Sequence, residues 1–203
     1  MKVSHSISSF NATKKTIITL GTFDGVHLGH QAILKKLVSA TENGTYESLV
    51  LTFYPHPRMV LNKEGAMHLL NTIEEKTILL EKFGIDHLIV HPFDDAFSKL
   101  SAEAFVKNIL VDQLNIHKII IGYDHRFGEN RSANITDLIH FGKQYNFEVA
   151  QINAEEINEI TVSSTKIRTA LLEGAIELAN QYLGYDYFFS GKVIKGKQDR
   201  KST

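Results

Sequence analysis

Five short apolar runs recur along this 203-residue chain, with helix-periodic stretches between them. They are "KTIITL" (Lys15 to Leu20), "SLVLTF" (Ser48 to Phe53), "DHLIVHPF" (Asp86 to Phe93), "HKIIIG" (His117 to Gly122) and "FEVAQI" (Phe147 to Ile152). Polar residues do not alternate through the first two runs, as expected for strands buried on both faces. The intervening segments carry helical stripes: Ile33, Leu34, Leu37 and Val38 within His30 to Ala40, then Ile73, Leu79, Leu80 and Phe83 behind a capping box formed by Thr72 and Glu75. Ser101 caps a third helix with Phe105, Ile109 and Leu110, and Ile135, Leu138 and Ile139 mark a fourth. From Ser163 onward Ile167, Leu171, Ile176, Leu178 and Leu183 continue the helical signal. Strands alternating with helices predict an α/β fold, a parallel sheet flanked by helices with right-handed crossovers.

In such a sheet ligands bind at the carboxyl ends of the strands. Four polar segments fall at strand ends or helix starts: "TLGTFDGVHLGH", "YPHP", "GYDHRFG" and "TVSSTKIR". They are therefore expected to converge on one rim. The first has neither the dinucleotide spacing G-x-G-x-x-G nor the P-loop pattern. A glycine-bearing turn that opens a helix is still an anion site, because its free N–H groups and the helix dipole favour negative charge. His27 and His30 on that turn could donate hydrogen bonds to a phosphate whose charge grows during transfer. A capped turn with surface histidines explains the same residues, and spacing alone does not separate the two. Zinc is a weaker reading, since two histidines three apart lack a third ligand.

"TVSSTKIR" offers consecutive hydroxyls at a helix start, which usually act as caps. Arg168, one turn inside, could present its fork to phosphate oxygens instead. "FYPHPRMV" and "GYDHRFGENRS" combine aromatics with polar tips. Their rings could stack on a planar ligand while Asp124, His56 or Arg58 orient it, although Phe53 and Phe127 also fit a core role.

Charge narrows the partner class. Lys and Arg number 22 against 23 Asp and Glu, a net charge of -1, so nothing marks a nucleic-acid surface and a small-molecule substrate is expected. The chain has no cysteine, which removes disulfide and thiolate chemistry. No apolar run reaches the roughly 18 residues of a membrane span, and a soluble, cytoplasmic protein is expected.

Taken together, "GTFDGVHLGH", "LTFYPHPRMV", "IGYDHRFGENR" and "VSSTKIRTALLEGAIELANQYLG" resemble the FMN adenylyltransferase domain of prokaryotic bifunctional riboflavin kinase/FAD synthetases. The resemblance runs in the family's order from residue 17 to about 190. It implies a Rossmann-like nucleotidylyltransferase fold and transfer of AMP from ATP to FMN, giving FAD and pyrophosphate, with Mg2+ as cofactor. It further implies that His27, His30 and Arg168 are catalytic. Gly21, Phe23, Gly25, Ser163, Ser164 and Thr165 would join them around ATP. Pro55, His56, Pro57, Arg58, Asp124 and Phe127 would lie on the FMN side. Metal ligands are not identified. Two positions depart from the family: His125 stands where Phe is more usual, and the "GFPTAN"-type kinase motif does not follow "YFFSGKVIKG". The expected organisation is an adenylyltransferase domain over 1–186. Residues 187–203 would be the severed first strand of a riboflavin kinase barrel, with Tyr187, Phe188 and Phe189 exposed and the end disordered. Kinase activity is not expected of this chain. A sister nucleotidylyltransferase with another phosphorylated acceptor, or a non-catalytic flavin- or nucleotide-binding module, are the alternatives.

Overall fold

The computed structural model describes residues 1–61, 67–122, 125–152 and 162–195. The five apolar runs form strands β2 (Thr16–Leu20), β3 (Glu47–Tyr54), β4 (His87–Pro92), β5 (Ile116–Gly122) and β6 (Glu148–Ile152). With β1 (Lys2–Ser4) they build one sheet in the order β1-β4-β3-β2-β5-β6, and every pairing is parallel. β1 was not expected. It has three residues, pairs only with β4 and leaves Lys2 and Val3 exposed, so it carries no periodic signal.

Side chains alternate across the sheet, and the two faces feed separate cores. Ile18, Leu20, Leu49, Leu51, Ile89, Ile119 and Ile121 point to one core, and Ile17, Val50, Leu88, Val90 and Ile120 to the other. This two-sided burial explains why the strands read as unbroken apolar runs. Helices α1 (Leu28–Ser39) and α3 (Ile73–Glu81) cover the second face through Leu34, Leu37, Leu79 and Leu80. The first face is covered by α6 (Ile135–Tyr145) and by a helix that starts as α5 (Ala102–Ala104) and widens into a π-helix over Phe105–Val111. The wider turn puts Phe105 and Leu110, five apart, into the same core. The short helices α2 (Pro57–Leu61) and α4 (Asp95–Ser98) follow β3 and β4.

A third apolar cluster joins Leu70 to Ile167, Ala170, Ala179 and Leu183 of α7 (Ser164–Leu172) and α8 (Ile176–Leu183). Ile139, Ile176 and Leu178 are more exposed than their periodicity suggested, because α6 turns Leu138 and Gly142 inward and α8 turns Ala179 and Leu183 inward.

β2 is central. It pairs with β3, reached through α1, on one side and with β5 on the other. The turn leaving β2 therefore sits where the strand order reverses, the place where such sheets open a crevice.

In the segment after α8 the exposure of the aromatic residues differs from the expectation. No strand forms over residues 187–195, and Tyr187 and Phe188 pack partly buried against the apolar clusters, whereas Phe189 stays 83% exposed. Polar contacts hold the segment down. The Tyr185 hydroxyl donates to the Gly25 carbonyl at 2.7 Å, and the Tyr187 N–H to Asn180 Oδ1 at 2.8 Å. Both the N–H and the hydroxyl of Ser190 donate to Glu75 Oε1, at 2.5 and 2.7 Å. The expected disorder of the last residues concerns 196–203, which lie outside the described residues.

Removing residues 191–203 should leave the melting temperature within a few degrees of the parent, because no contact named above is lost. Removing 185–203 should cost about 2–4 kcal/mol, from several hydrogen bonds of roughly 1 kcal/mol each plus the Tyr187 and Phe188 burial. Thermal melts of the two truncations, read against the full chain, check this.

Candidate active site

The turn from β2 into α1 holds its shape through unusual backbone. Phe23, Gly25 and Val26 have φ of 47°, 83° and 36°. Positive φ is costly for a β-branched valine, so packing must hold Val26 there. Phe23 and Val26 are each 1% exposed. At Gly25 a side chain is doubly excluded, since a Cβ would stand 2.6 Å from Leu70 Cδ1. Gly21 donates its N–H to the Leu51 carbonyl at 3.1 Å, which ties the start of the turn to β3.

α1 begins two residues earlier than the periodicity suggested because His27 is its N-cap, its Nδ1 accepting from the His30 N–H at 3.4 Å. The His27 and His30 rings stack with centroids 3.7 Å apart, and His30 also leans on Phe23 at 5.0 Å. Burial pushes the His27 pKa down to about 4. His30 is held well below the usual histidine range by burial, then by the neighbouring charges of His27 and Lys76. Both imidazoles are therefore neutral near pH 7 and offer N–H dipoles rather than full charges. His30 Nδ1 is buried with no hydrogen-bond partner among the described residues. The first turn of α1 has no acidic residue to oppose an anion.

The two rings also set an acid limit on stability. In the unfolded chain they take up protons below pH 6.5, whereas the folded form resists until about pH 4 at His27. The unfolded state thus binds more protons across that window, and stability falls as pH drops from 6.5 towards 4. Chemical denaturation at a series of pH values should show this slope, and His27→Asn should flatten it.

α7 is docked onto the same turn. Ser163 caps it, accepting from the Lys166 N–H at 3.3 Å, and Ser164 Oγ donates to the Asp24 carbonyl at 2.9 Å. Thr165 is exposed on the first turn. Arg168 donates through Nη2 to the Asp24 carboxylate and through Nε to the His68 carbonyl at 2.7 Å. Asp24 is 1% exposed and also accepts the Leu70 N–H at 2.9 Å. One buried carboxylate thus joins the β2–α1 turn, the segment before α3, and α7.

"YPHP" closes β3. His56 is buried while Pro55 and Arg58 are exposed and Pro57 is half-buried. His56 Nδ1 accepts the Arg58 N–H at 3.1 Å. Burial again pushes its pKa down to about 4, against Asp24 and with Arg58, Lys76 and Arg168, which places "PHP" within electrostatic reach of the Asp24–Arg168 pair. Tyr54, Met59 and Leu61 leave an exposed apolar rim beside it.

The structure therefore brings Gly21, Phe23, Gly25, His27, His30, His56, Ser163, Ser164 and Arg168 together. Phe127 is buried in the core of the sheet's first face, against Phe105 at 6.0 Å and His125 at 6.3 Å. Asp124 and Tyr123 lie outside the described residues, as does Thr161. Three contributors carried no assigned role in the sequence reading: Asp24, Lys76 and Tyr185. A cavity of about 420 Å³ lies at the other end of the sheet, lined by Lys2, Glu47, Asp86 and His87 at the amino ends of the strands, and is remote from these loops.

Among the described residues no three His, Cys, Asp or Glu side chains are grouped to hold a metal ion. No helix among them is long and apolar enough to cross a membrane.

Residues 9–166 match the family model described as FAD synthetase. A "Bifunctional riboflavin kinase/FMN adenylyltransferase" of Buchnera aphidicola subsp. Schizaphis graminum is 41% identical over 96% of this chain and 62% of its own length. The proteins of that description from Listeria monocytogenes and Escherichia coli K12 are 39% and 31% identical, covering 89% and 90% of this chain and 57% and 58% of theirs. The chain thus spans about three fifths of the curated relatives it matches. A crystal structure described as "Macrolide-efflux Protein from Streptococcus pneumoniae" superposes with a TM-score of 0.78 at 25% identity, over 91% of this chain and 60% of that one.

Proposed function

Because this chain belongs to the FAD synthetase family, we propose that it transfers the adenylyl group of ATP to FMN, giving FAD and pyrophosphate. The observation that carries this reading is the His27–His30 stack at the N-terminus of α1, set beside an Arg168 held in place by Asp24.

The reaction needs no protein nucleophile. An oxygen of the FMN phosphate attacks the α-phosphorus of ATP, the bond from that phosphorus to the bridging oxygen breaks, and pyrophosphate leaves with the electron pair. What the protein must supply is alignment and relief of charge. On this reading the neutral rings of His27 and His30 donate to ATP phosphate oxygens, and the amides at the start of α1 add their dipoles. The anchored guanidinium presents its remaining N–H groups at the same mouth. Gly21, Phe23, Gly25, Ser163, Ser164 and Thr165 shape the ATP side, and Pro55, His56, Pro57, Arg58, Asp124 and Phe127 the FMN side. His56, buried and neutral, is suited to orienting a ligand by hydrogen bonding rather than by charge.

Mg2+ belongs to the proposal as well. The described residues form no cage for it, so it would arrive on the phosphates of ATP, where such ions keep most of their oxygen ligands. The domain limits also remain a proposal: 1–186 as the adenylyltransferase domain, with 187–203 leading towards a riboflavin kinase domain in the natural full-length chain, as the relatives' description and length suggest. A cytoplasmic location fits soluble substrates.

Incubating the chain with ATP, Mg2+ and FMN, nicotinate mononucleotide or phosphopantetheine tests the acceptor. Pyrophosphate release with FMN alone supports the proposal. Release with another acceptor points to a sister enzyme, and binding of FMN and ATP without release points to a binding module.

A further inference from the structure

Lys76 is placed unlike an ordinary helix lysine. It sits on α3, is 5% exposed, and donates from Nζ to the Thr22 carbonyl at 2.6 Å. Thr22 belongs to the β2–α1 turn, and Thr52 on β3 donates to the same carbonyl at 3.2 Å. Charged and titratable groups face the ammonium from several elements: Asp24 from the turn, His30 from α1 and His56 from the loop after β3. Arg168 of α7 engages Asp24, and Tyr185 from the C-terminal segment faces it too. Glu75, the neighbour on α3, gives its carboxylate to Thr72 and Ser190.

Both buried carboxylates in this group are already engaged, Asp24 by Arg168 and Glu75 by Thr72 and Ser190. Among the described residues Lys76 makes no ion pair. A buried cation held by a carbonyl and by no direct ion pair is costly. That cost is offset if an anion arrives there. The group that sees Lys76 from the ATP side is His30, and the group that sees it from the FMN side is His56.

We propose that Lys76 is a further cationic group of the transfer site, its ammonium meeting phosphate oxygens where the acceptor phosphate approaches ATP. This rests on the adenylyltransferase reading. Lys76 gives up no proton and forms no covalent bond in the step. It offsets the repulsion between two phosphate groups and the charge that moves onto the departing pyrophosphate. Only its protonated form does so. Burial, opposed by Asp24, lowers its pKa to about 8, so the active form is lost as pH rises through that value.

The test is the pH dependence of kcat/KM for ATP, which reports groups of the free enzyme. It is measured on the parent chain, Lys76→Met and Lys76→Arg, with thermal melts of each. The parent should show an alkaline limb near pH 8. Lys76→Met should melt close to the parent, lose about 10²–10³ in kcat and lack the limb. Lys76→Arg should recover part of the rate and move the limb up by more than about one pH unit, since a guanidinium stays charged. A parent chain that forms no FAD would overturn the adenylyltransferase reading, and the inference with it. With an active parent, a Lys76→Met variant within a few-fold of it, or an unmoved limb in Lys76→Arg, would overturn this inference alone. Should Lys76→Met not fold, the parent's limb and its shift in Lys76→Arg decide.

Discussion

His30→Ala is expected to slow FAD formation by about 10²–10³-fold while the affinity for FMN stays within a few-fold of the parent. The expectation follows from where the ring sits. It stands at the start of α1, stacked on His27 at 3.7 Å, with Nδ1 buried and unpartnered among the described residues. A donor held that way is preorganised for charge that develops during transfer, and losing it raises the barrier more than it weakens ground-state binding. Truncation also leaves a gap beside Phe23, so thermal melts and His30→Gln, which keeps much of the volume, accompany the kinetics. Steady-state kcat and KM for each substrate check the result. Equal losses in FMN affinity and turnover would instead make His30 part of the flavin pocket.

Asp24→Ala should be the most damaging single change to the fold of the site. Asp24 is 1% exposed and is the common acceptor of Arg168 and the Leu70 N–H, while its own carbonyl accepts from Ser164. Removing the carboxylate leaves the Arg168 cation in a largely buried place without its counter-charge, a loss of about 3–5 kcal/mol for pairs of this kind. Activity should fall with stability, because α7 loses a main tether to the β2–α1 turn. Asp24→Asn keeps an acceptor and should recover part of the stability but less of the activity, since a neutral amide no longer fixes the guanidinium. Arg168→Lys keeps the charge and loses the planar fork that spans Asp24 and the His68 carbonyl. It should therefore be milder in stability than Asp24→Ala while still impairing ATP-dependent steps. Denaturant midpoints and kcat/KM for ATP on the three variants separate these effects. A fully stable Asp24→Ala would show that the buried pair is not what holds the two elements together.

The parallel sheet was readable in advance because its central strands are buried on both faces. Ile17 and Ile18 belong to different cores yet are adjacent in the sequence, which produces an unbroken apolar run. β1 was not readable, since three edge residues carry no pattern. The turn at His27 and His30 stood out because a structural turn has no need of two imidazoles. Asp24 lay within the same motif, but its role depends on a partner 144 residues away, and nothing local announces that distance. Lys76 was hidden by its neighbour. The capping box of Thr72 and Glu75 reads as an exposed helix start, where lysine is ordinarily solvated. The partial burial of Tyr187 and Phe188 was not legible for a similar reason. "YFFSGKVIKG" has the composition of a strand, while the contacts that hold its first half come from Glu75 and Asn180 on helices.

Direct adenylyl transfer from ATP to FMN is the central claim, and ATP radiolabelled at the α-phosphate tests it most directly. The chain is mixed with labelled ATP, Mg2+ and unlabelled FMN in a single turnover, and the products are separated. The account predicts that label enters FAD with release of unlabelled pyrophosphate in equal amount, and that none stays on the protein after denaturation. Label left as free AMP or carried covalently on the chain, with no labelled FAD formed, would contradict it.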